Sequence, residues 1–254
     1  MENYRPRLAD KTLERKLKGK GAVLIQGPKW CGKTTTAEQM AKSILYMSKP
    51  EDVKSNLMAA DIKPSKLLEG DIPRLIDEWQ IAPKLWDAVR FEVDHRKGMG
   101  QFILTGSAVP PDDDEIFHTG TGRFAWIKMR PMSLFESGES TGEISLKALF
   151  DHPKRILAEN KINDIDKLAF LICRGGWPGS IDMEDDIALD QAFDYFDAIV
   201  NTDISRVDNV KRDSERAKRL MKSYARNQGT QTPYTVLRDD ILAILFEKWC
   251  TDHW

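Results

Sequence analysis

Eight consecutive residues, Gly27-Pro28-Lys29-Trp30-Cys31-Gly32-Lys33-Thr34, constrain this chain more than any others, because they fill every fixed position of the pattern G-x-x-x-x-G-K-[ST]. The pattern needs a buried strand before it and a helix after it. Its glycines let successive N–H groups face inward, and the helix start adds unpaired N–H donors and a positive dipole end. Ala22-Val23-Leu24-Ile25 is a continuous apolar run suited to a strand covered on both faces. Thr34 to Met47 carries Ala37, Met40, Ala41, Ile44 and Leu45 on a three-four spacing, predicting a helix that stops before Pro50. Gly27 to Thr34, with the adjoining Thr35, are therefore candidate phosphate-binding residues. In such a loop Lys33 reaches the β- and γ-phosphates and the Thr34 hydroxyl binds Mg²⁺. A plain glycine turn with solvated Lys and Thr is the competing reading, and the flanking strand and helix count against it.

Further along, strands are expected at Ile72–Ile76 and Gln101–Thr105. A helix is expected over Gln80–Asp94, where Ile81, Leu85, Ala88 and Val89 share a face. Strands alternating with helices predict βαβ units and a mostly parallel, three-layer α/β sheet. Such a sheet calls for another strand between Lys49 and Gly70, where no clean period identifies one. A short helix bearing Leu13 and Leu17 precedes the first strand. Pro110 to Glu115 reads as an exposed acidic loop and Thr119 to Gly122 as a Gly-rich turn. From Ser145 the pattern turns helical, with helices near Ser145–Phe150, Ile165–Cys173, Ile187–Ile204 and Arg212–Arg226, and another after Pro233.

Phosphoryl transfer to water needs a second acidic site to hold the metal and orient the attacking water. Asp77-Glu78 supplies the residue types, and Leu75-Ile76 before them sets the pair at the end of a strand on the edge that carries the loop. Asp77 would serve the metal and Glu78 the water; the bland alternative is an acidic pair at the start of the next helix. Thr105 and Ser107 flank Gly106, where a small polar group could sense the γ-phosphate, although a simple turn explains them equally. Arg123 and Arg130 are candidate charge-stabilising fingers, acting within the chain or on a neighbouring copy. Ser133 to Glu136 has the capping-box spacing of a helix start. Cys31, beside a helix N-terminus, is expected to have a lowered thiol pKa. His95, His118, His152 and His253 form no ligand spacing.

Thirty-eight Lys and Arg against 40 Asp and Glu leave a net charge of −2, so no global field draws the chain to nucleic acid or an anionic membrane. A local exception lies between Asn209 and Thr230. Seven basic residues, Lys211, Arg212, Arg216, Lys218, Arg219, Lys222 and Arg226, stand there against Asp213 and Glu215. That helix could follow a DNA backbone, or it could be an ordinary solvated face. Three cysteines without metal-ligand spacing, a charged N-terminus and apolar runs far short of ~20 residues point to a cytoplasmic protein with no membrane span. No N-K-x-D stretch would read a guanine ring, which leaves ATP as the expected nucleotide.

Tyr4-Arg5-Pro6-Arg7, Gly27 to Thr34, Asp77-Glu78-Trp79-Gln80, Leu104-Thr105-Gly106-Ser107, Arg130 to Glu136 and Arg174-Gly175-Gly176-Trp177-Pro178 together resemble the prokaryotic AAA-like P-loop ATPases that carry a C-terminal domain of unknown function. The resemblance spans roughly residues 1 to 248. It implies an additional-strand P-loop core over 1–143, a helical lid over 144–208 and a partial winged-helix segment over 209–254. A separate nuclease-like or uncharacterised domain is expected to follow in the family. It also implies Mg²⁺-dependent ATP hydrolysis with Lys33 and Thr34 on phosphate and metal, Asp77 and Glu78 on metal and water, and Ser107 at a sensor position. Arg123 and Arg130 are carried over with them, and assembly into a homo-oligomer is a further expectation. Residues 246–254 look unlike the family's continuation, so a truncated or frame-shifted member is expected. The alternative function is a nucleotide-gated DNA- or protein-binding module with little turnover.

Overall fold

Among the residues that the computed structural model describes, 4–106, 120–155, 157–159, 161–162, 164–204 and 212–242, five short strands pair in parallel. They are β1 (Ala22–Gln26), β2 (Ser43–Tyr46), β3 (Arg74–Asp77), β4 (Phe102–Gly106) and β5 (Phe124–Lys128), in the order β2-β3-β4-β1-β5. Ser107, the acidic stretch 110–115, His118, Thr119, Lys211 and residues 246–254 lie outside the described residues.

The unbroken apolar character of β1 follows from its central place. Ala22 and Leu24 join one core with Leu85, Trp86 and Val89 of α4 (Lys84–Arg96) and Ala60 of α3 (Val53–Ile62). Val23 and Ile25 join the other with Leu13 and Leu17 of α1 (Leu8–Gly19) and Ala37 of α2 (Lys33–Glu38). Because successive side chains of a strand alternate faces, this division makes three layers, helices on both sides of a sheet. The expected three-layer α/β fold is the observed one. Strand β4 is the additional strand: it lies between loop-bearing β1 and Asp77-bearing β3, with Val23 opposite Ile103 and Asp77 opposite Thr105.

Three local expectations are corrected. The helix expected over Thr34–Met47 ends at Glu38, and Ile44 and Leu45 belong to strand β2. Pairing of Ile44 with Leu75 and Leu45 with Ile76 overrides their helical spacing, so the missing strand lies before Lys49. The interval 49–70 instead holds α3 and a 3-10 turn, Pro64–Leu68. Ser133 and Glu136 exchange the bonds of a capping box, but the chain closes as a turn over 134–138 and no helix follows. The sequence also gave no separate sign of β5.

Beyond the sheet, Ser145 caps α5 (Leu146–Asp151) by accepting the Ala148 N–H at 3.1 Å. Asp164 caps α6 (Ile165–Arg174) and Asp213 caps α8 (Ser214–Arg226). Between them, α7 (Asp185–Ala198) continues as a π-helical turn over Ile199–Asp203. The chain divides into two compact units, Met1–Ala188 and Leu189–Trp254. In the second, Ser223 and Arg226 both donate to the Asp240 carboxylate, joining α8 to the helix over 234–242. Among the described residues, no helix is long and apolar enough to cross a membrane.

Candidate functional site

The carboxyl ends of β1, β3 and β4 bring three separated stretches together. Past Gln26 the chain enters the Gly27–Thr34 loop, whose tip carries the exposed Trp30 in the left-handed region at φ 64°. Gly32, at φ +94°, adopts a conformation that residues with a Cβ rarely take. A Cβ on Gly27 would lie 2.3 Å from the Met129 carbonyl oxygen, so the loop approaches the end of β5 too closely for a side chain. Lys33 opens α2 and is 6% exposed; its Nζ donates to the carbonyls of Gly27 at 3.0 Å and Pro28 at 2.9 Å. Both acceptors are neutral, so a phosphate oxygen can displace them and gain a charge-assisted bond.

Asp77, 7% exposed at the end of β3, accepts two hydroxyl bonds on Oδ1, from Thr34 and from Thr105, each 2.6 Å. Thr34 and Asp77 are thus in direct contact across an intervening strand. Glu78 follows in the left-handed region, φ 56° and ψ 45°, a conformation that costs a residue with a Cβ roughly 1 kcal/mol. Its carboxylate accepts from the Gln80 amide Nε2, while the buried Gln80 Oε1 has no hydrogen-bond partner. That oxygen lies 2.5 Å from where a Cβ on Gly106 would stand, so the tip of β4 must be bare for Gln80 to hold Glu78.

This donor set fits Mg²⁺ with a polyphosphate. The ligands are hard oxygens, one carboxylate and one hydroxyl, beside a cationic loop. No group of three or more His, Cys, Asp or Glu that could hold a metal occurs among the described residues. A magnesium ion that keeps its waters and leans on substrate phosphates needs no such cage.

The remaining candidates separate. Arg130 follows β5 on the loop's edge of the sheet, just after Met129, whose N–H donates to the Gln26 carbonyl at 2.7 Å. Arg123 precedes β5 at the opposite edge, where its guanidinium meets both oxygens of Asp94 at 2.9 and 3.1 Å. Because its carbonyl accepts from Ala22 at the start of β1, the whole length of that strand separates it from the loop, and it does not join the site within the chain. Ser107 lies outside the described residues. The Cys31 expectation is corrected: the side chain is fully buried, and burial pushes its thiol up despite the lowering influence of Lys33 and Arg7.

Two residues at the site went unassigned in the sequence. Arg7 and Glu136 form an ion pair at 3.0 Å, their side chains 4% and 8% exposed, and Arg7 also reaches the Cys31 carbonyl of the loop. Both lie in segments that carry the family resemblance, Tyr4–Arg7 and Arg130–Glu136, but neither the arginines around Pro6 nor the capping spacing from Ser133 gave them a role.

In the second unit, the basic helix α8 is largely paired. Arg216 lies 3.7 Å from Asp213, Lys218 3.5 Å from Glu215 and Arg226 2.8 Å from Asp240. Arg219 donates to the Ile241 carbonyl at 3.5 Å.

An AAA domain family model matches residues 19–137, and the model of a domain of unknown function (DUF8612) matches residues 165–250. No curated protein matches the chain significantly. Among solved structures, the chain is similar to a Walker-type ATPase of Pyrococcus abyssi, with 15% identity over 95% of this chain and 90% of that one and a TM-score of 0.49. It is also similar to a signal transduction ATPase with numerous domains from Pyrococcus horikoshii, which has a tetratricopeptide repeat sensor. There the identity is 11% over 95% of this chain and 40% of that one, with a TM-score of 0.39.

Proposed function

We propose that this chain, which matches an AAA domain model over residues 19–137 and the model of a domain of unknown function over 165–250, binds ATP with Mg²⁺ and hydrolyses it to ADP and phosphate. The observation that carries this reading is the meeting of Thr34, Asp77 and Thr105 beside the buried Lys33. Bound Mg²⁺ supplies charge neutralisation at the β- and γ-phosphates. Lys33 exchanges its loop carbonyls for phosphate oxygens, and the N–H groups of Lys29 to Thr35 orient the polyphosphate. Asp77 and the Thr34 hydroxyl are the residues that hold the metal, with Thr105 keeping Asp77 in register. Glu78 accepts a hydrogen bond from the attacking water and aligns it with the phosphorus, while Gln80 fixes the carboxylate. Arg130 and Ser107 are assigned to the same site, Arg130 as a stabiliser of developing charge and Ser107 as a γ-phosphate sensor. The core over 1–143, a lid over 144–208 and a partial winged helix over 209–254 complete the proposed organisation.

A second reading, a nucleotide-gated DNA- or protein-binding module with little turnover, draws on one feature: the Glu78 carboxylate is already engaged by Gln80. Calorimetric titration and phosphate release separate the two. Lys33→Ala is expected to abolish measurable Mg-ATP binding under both. Glu78→Gln keeps binding and lowers turnover about 100-fold or more if water is activated there; unchanged phosphate release in that variant rejects hydrolysis at this site.

A further inference from the structure

Arg7 sits outside the phosphate loop, yet its side chain is almost fully buried against it. Its planar guanidinium serves three acceptors at once. Nη1 donates to the Cys31 carbonyl at 2.7 Å, Nη2 to the Arg130 carbonyl at 2.8 Å, and Nε to Glu136 Oε1 at 3.0 Å. Glu136 is itself fixed: Oε1 also accepts the Leu8 N–H, and Oε2 accepts the N–H and hydroxyl of Ser133, each at 2.8 Å. Three stretches distant in sequence, before α1, within the loop and after β5, are thereby tied to one fork.

We infer that Arg7 is a positioning residue for the nucleotide, and that it sets affinity by fixing the Cys31–Gly32 peptide. In a trans peptide the C=O and N–H point in opposite directions. With the Cys31 carbonyl held by Arg7, the Gly32 N–H is turned away from Arg7 and into the loop, where it is available to a phosphate oxygen. Lys33 holds the carbonyls of Gly27 and Pro28 at the loop's start, and Arg7 holds the one at its end. The two cations differ in consequence. Lys33 leaves its carbonyls when phosphate arrives, whereas Arg7 keeps its contact in both states, so the loop is shaped before the ligand binds and loses less freedom on binding. Lysine cannot replace it, since an ammonium lacks the planar fork that meets two carbonyls and a carboxylate together. The Arg130 carbonyl on the same fork extends the effect to the candidate finger segment.

This inference rests on the loop binding ATP, and the test keeps the two apart. Mg-ATP is titrated calorimetrically into the whole chain as wild type, Lys33→Ala, Arg7→Lys and the double variant Arg7→Met/Glu136→Gln. Thermal unfolding and far-ultraviolet dichroism of each are recorded alongside. The double variant removes both buried charges, so no lone charge remains to unfold it. Both Arg7 variants are expected to fold and to bind Mg-ATP about tenfold more weakly, the effect of losing a charge-assisted hydrogen bond. Wild-type affinity in either folded variant, with binding lost in Lys33→Ala, overturns the role of Arg7 and leaves the loop's function standing. A lower unfolding midpoint with unchanged affinity of the folded protein overturns it too, as does failure of both variants to fold. Absence of heat from folded wild type overturns the ATP reading and this inference together.

Discussion

At the carboxyl end of the sheet, Lys33 and Asp77 are nearly buried, and their hydrogen-bond partners among the described residues are carbonyls and hydroxyls. At the amino end, Arg123 and Asp94 meet as a bidentate pair whose side chains are 44% and 37% exposed. The amino-end arrangement is ordinary surface electrostatics, in which water shares the charges and the pair adds little to stability. Withdrawing a lysine and an aspartate from solvent with only neutral partners is costly to the fold. On the reading proposed above, magnesium and polyphosphate are the charges these two groups meet. Similar residue types thus do different work at the two ends, and the difference lies in what they face.

That contrast can be attacked by substitution. The largest effect is expected from Asp77→Asn, which keeps the shape and removes the charge. Phosphate release should fall about 100-fold or more, the scale of losing a metal-holding carboxylate, and Mg²⁺ should no longer strengthen ATP binding in calorimetry. Thr105→Val keeps the branched shape and leaves Asp77 with one hydroxyl fewer. Urea unfolding should give a loss of about 2 kcal/mol, because the bond removed is to a buried charge. Gly106→Ala should displace Gln80 from Glu78 and lower turnover several-fold at unchanged ATP affinity; equal loss of affinity would mean that the tip of β4 touches the nucleotide directly.

A smaller effect is expected in the acid range. Burial alone would raise the Glu136 carboxyl, but the N–H groups of Ser133 and Leu8, the Ser133 hydroxyl and Arg7 hold it below the ordinary 4.5. The folded state therefore takes up this proton less readily than the unfolded chain. Its stabilisation is complete above the unfolded value and lost as pH falls through the lower, folded one. The urea midpoint of wild type should accordingly drop more steeply below pH 4.5 than that of Glu136→Gln. Arg123→Ala closes the series: nucleotide affinity and unfolding midpoint should both stay at wild-type values, and a loss of affinity would break the distinction between the two ends.

The strand–loop–helix unit was legible because its constraints are local. Glycines, a lysine, a threonine and an apolar run announce themselves within a dozen residues. Asp77-Glu78 could be read for the same reason, standing at the end of a short apolar strand. Strand β2 was hidden because Ile44 and Leu45 continue the spacing of Ala37, Met40 and Ala41, and because half exposure on a sheet edge leaves no long apolar run. Only the ladder to β3 decides it, and that partner lies about 30 residues away. Strand β5 hid in Phe124-Ala125-Trp126-Ile127, where a buried Phe124 breaks the alternation that Ala125 to Lys128 keep. Arg7 and Glu136 were hidden for a deeper reason. Each looks like a surface residue until folding closes a gap of 129 positions between them.

Thr105 and Gly106 end the strand that stands between the loop and the acidic pair. Thr105 bonds Asp77, and the bareness of Gly106 makes room for Gln80, which bonds Glu78. A sideways shift of that one tip would reach the two carboxylates simultaneously and, because Gly106 stands opposite Gln26 at the root of the loop, would be felt there as well. One strand tip thereby becomes a common lever for both acids.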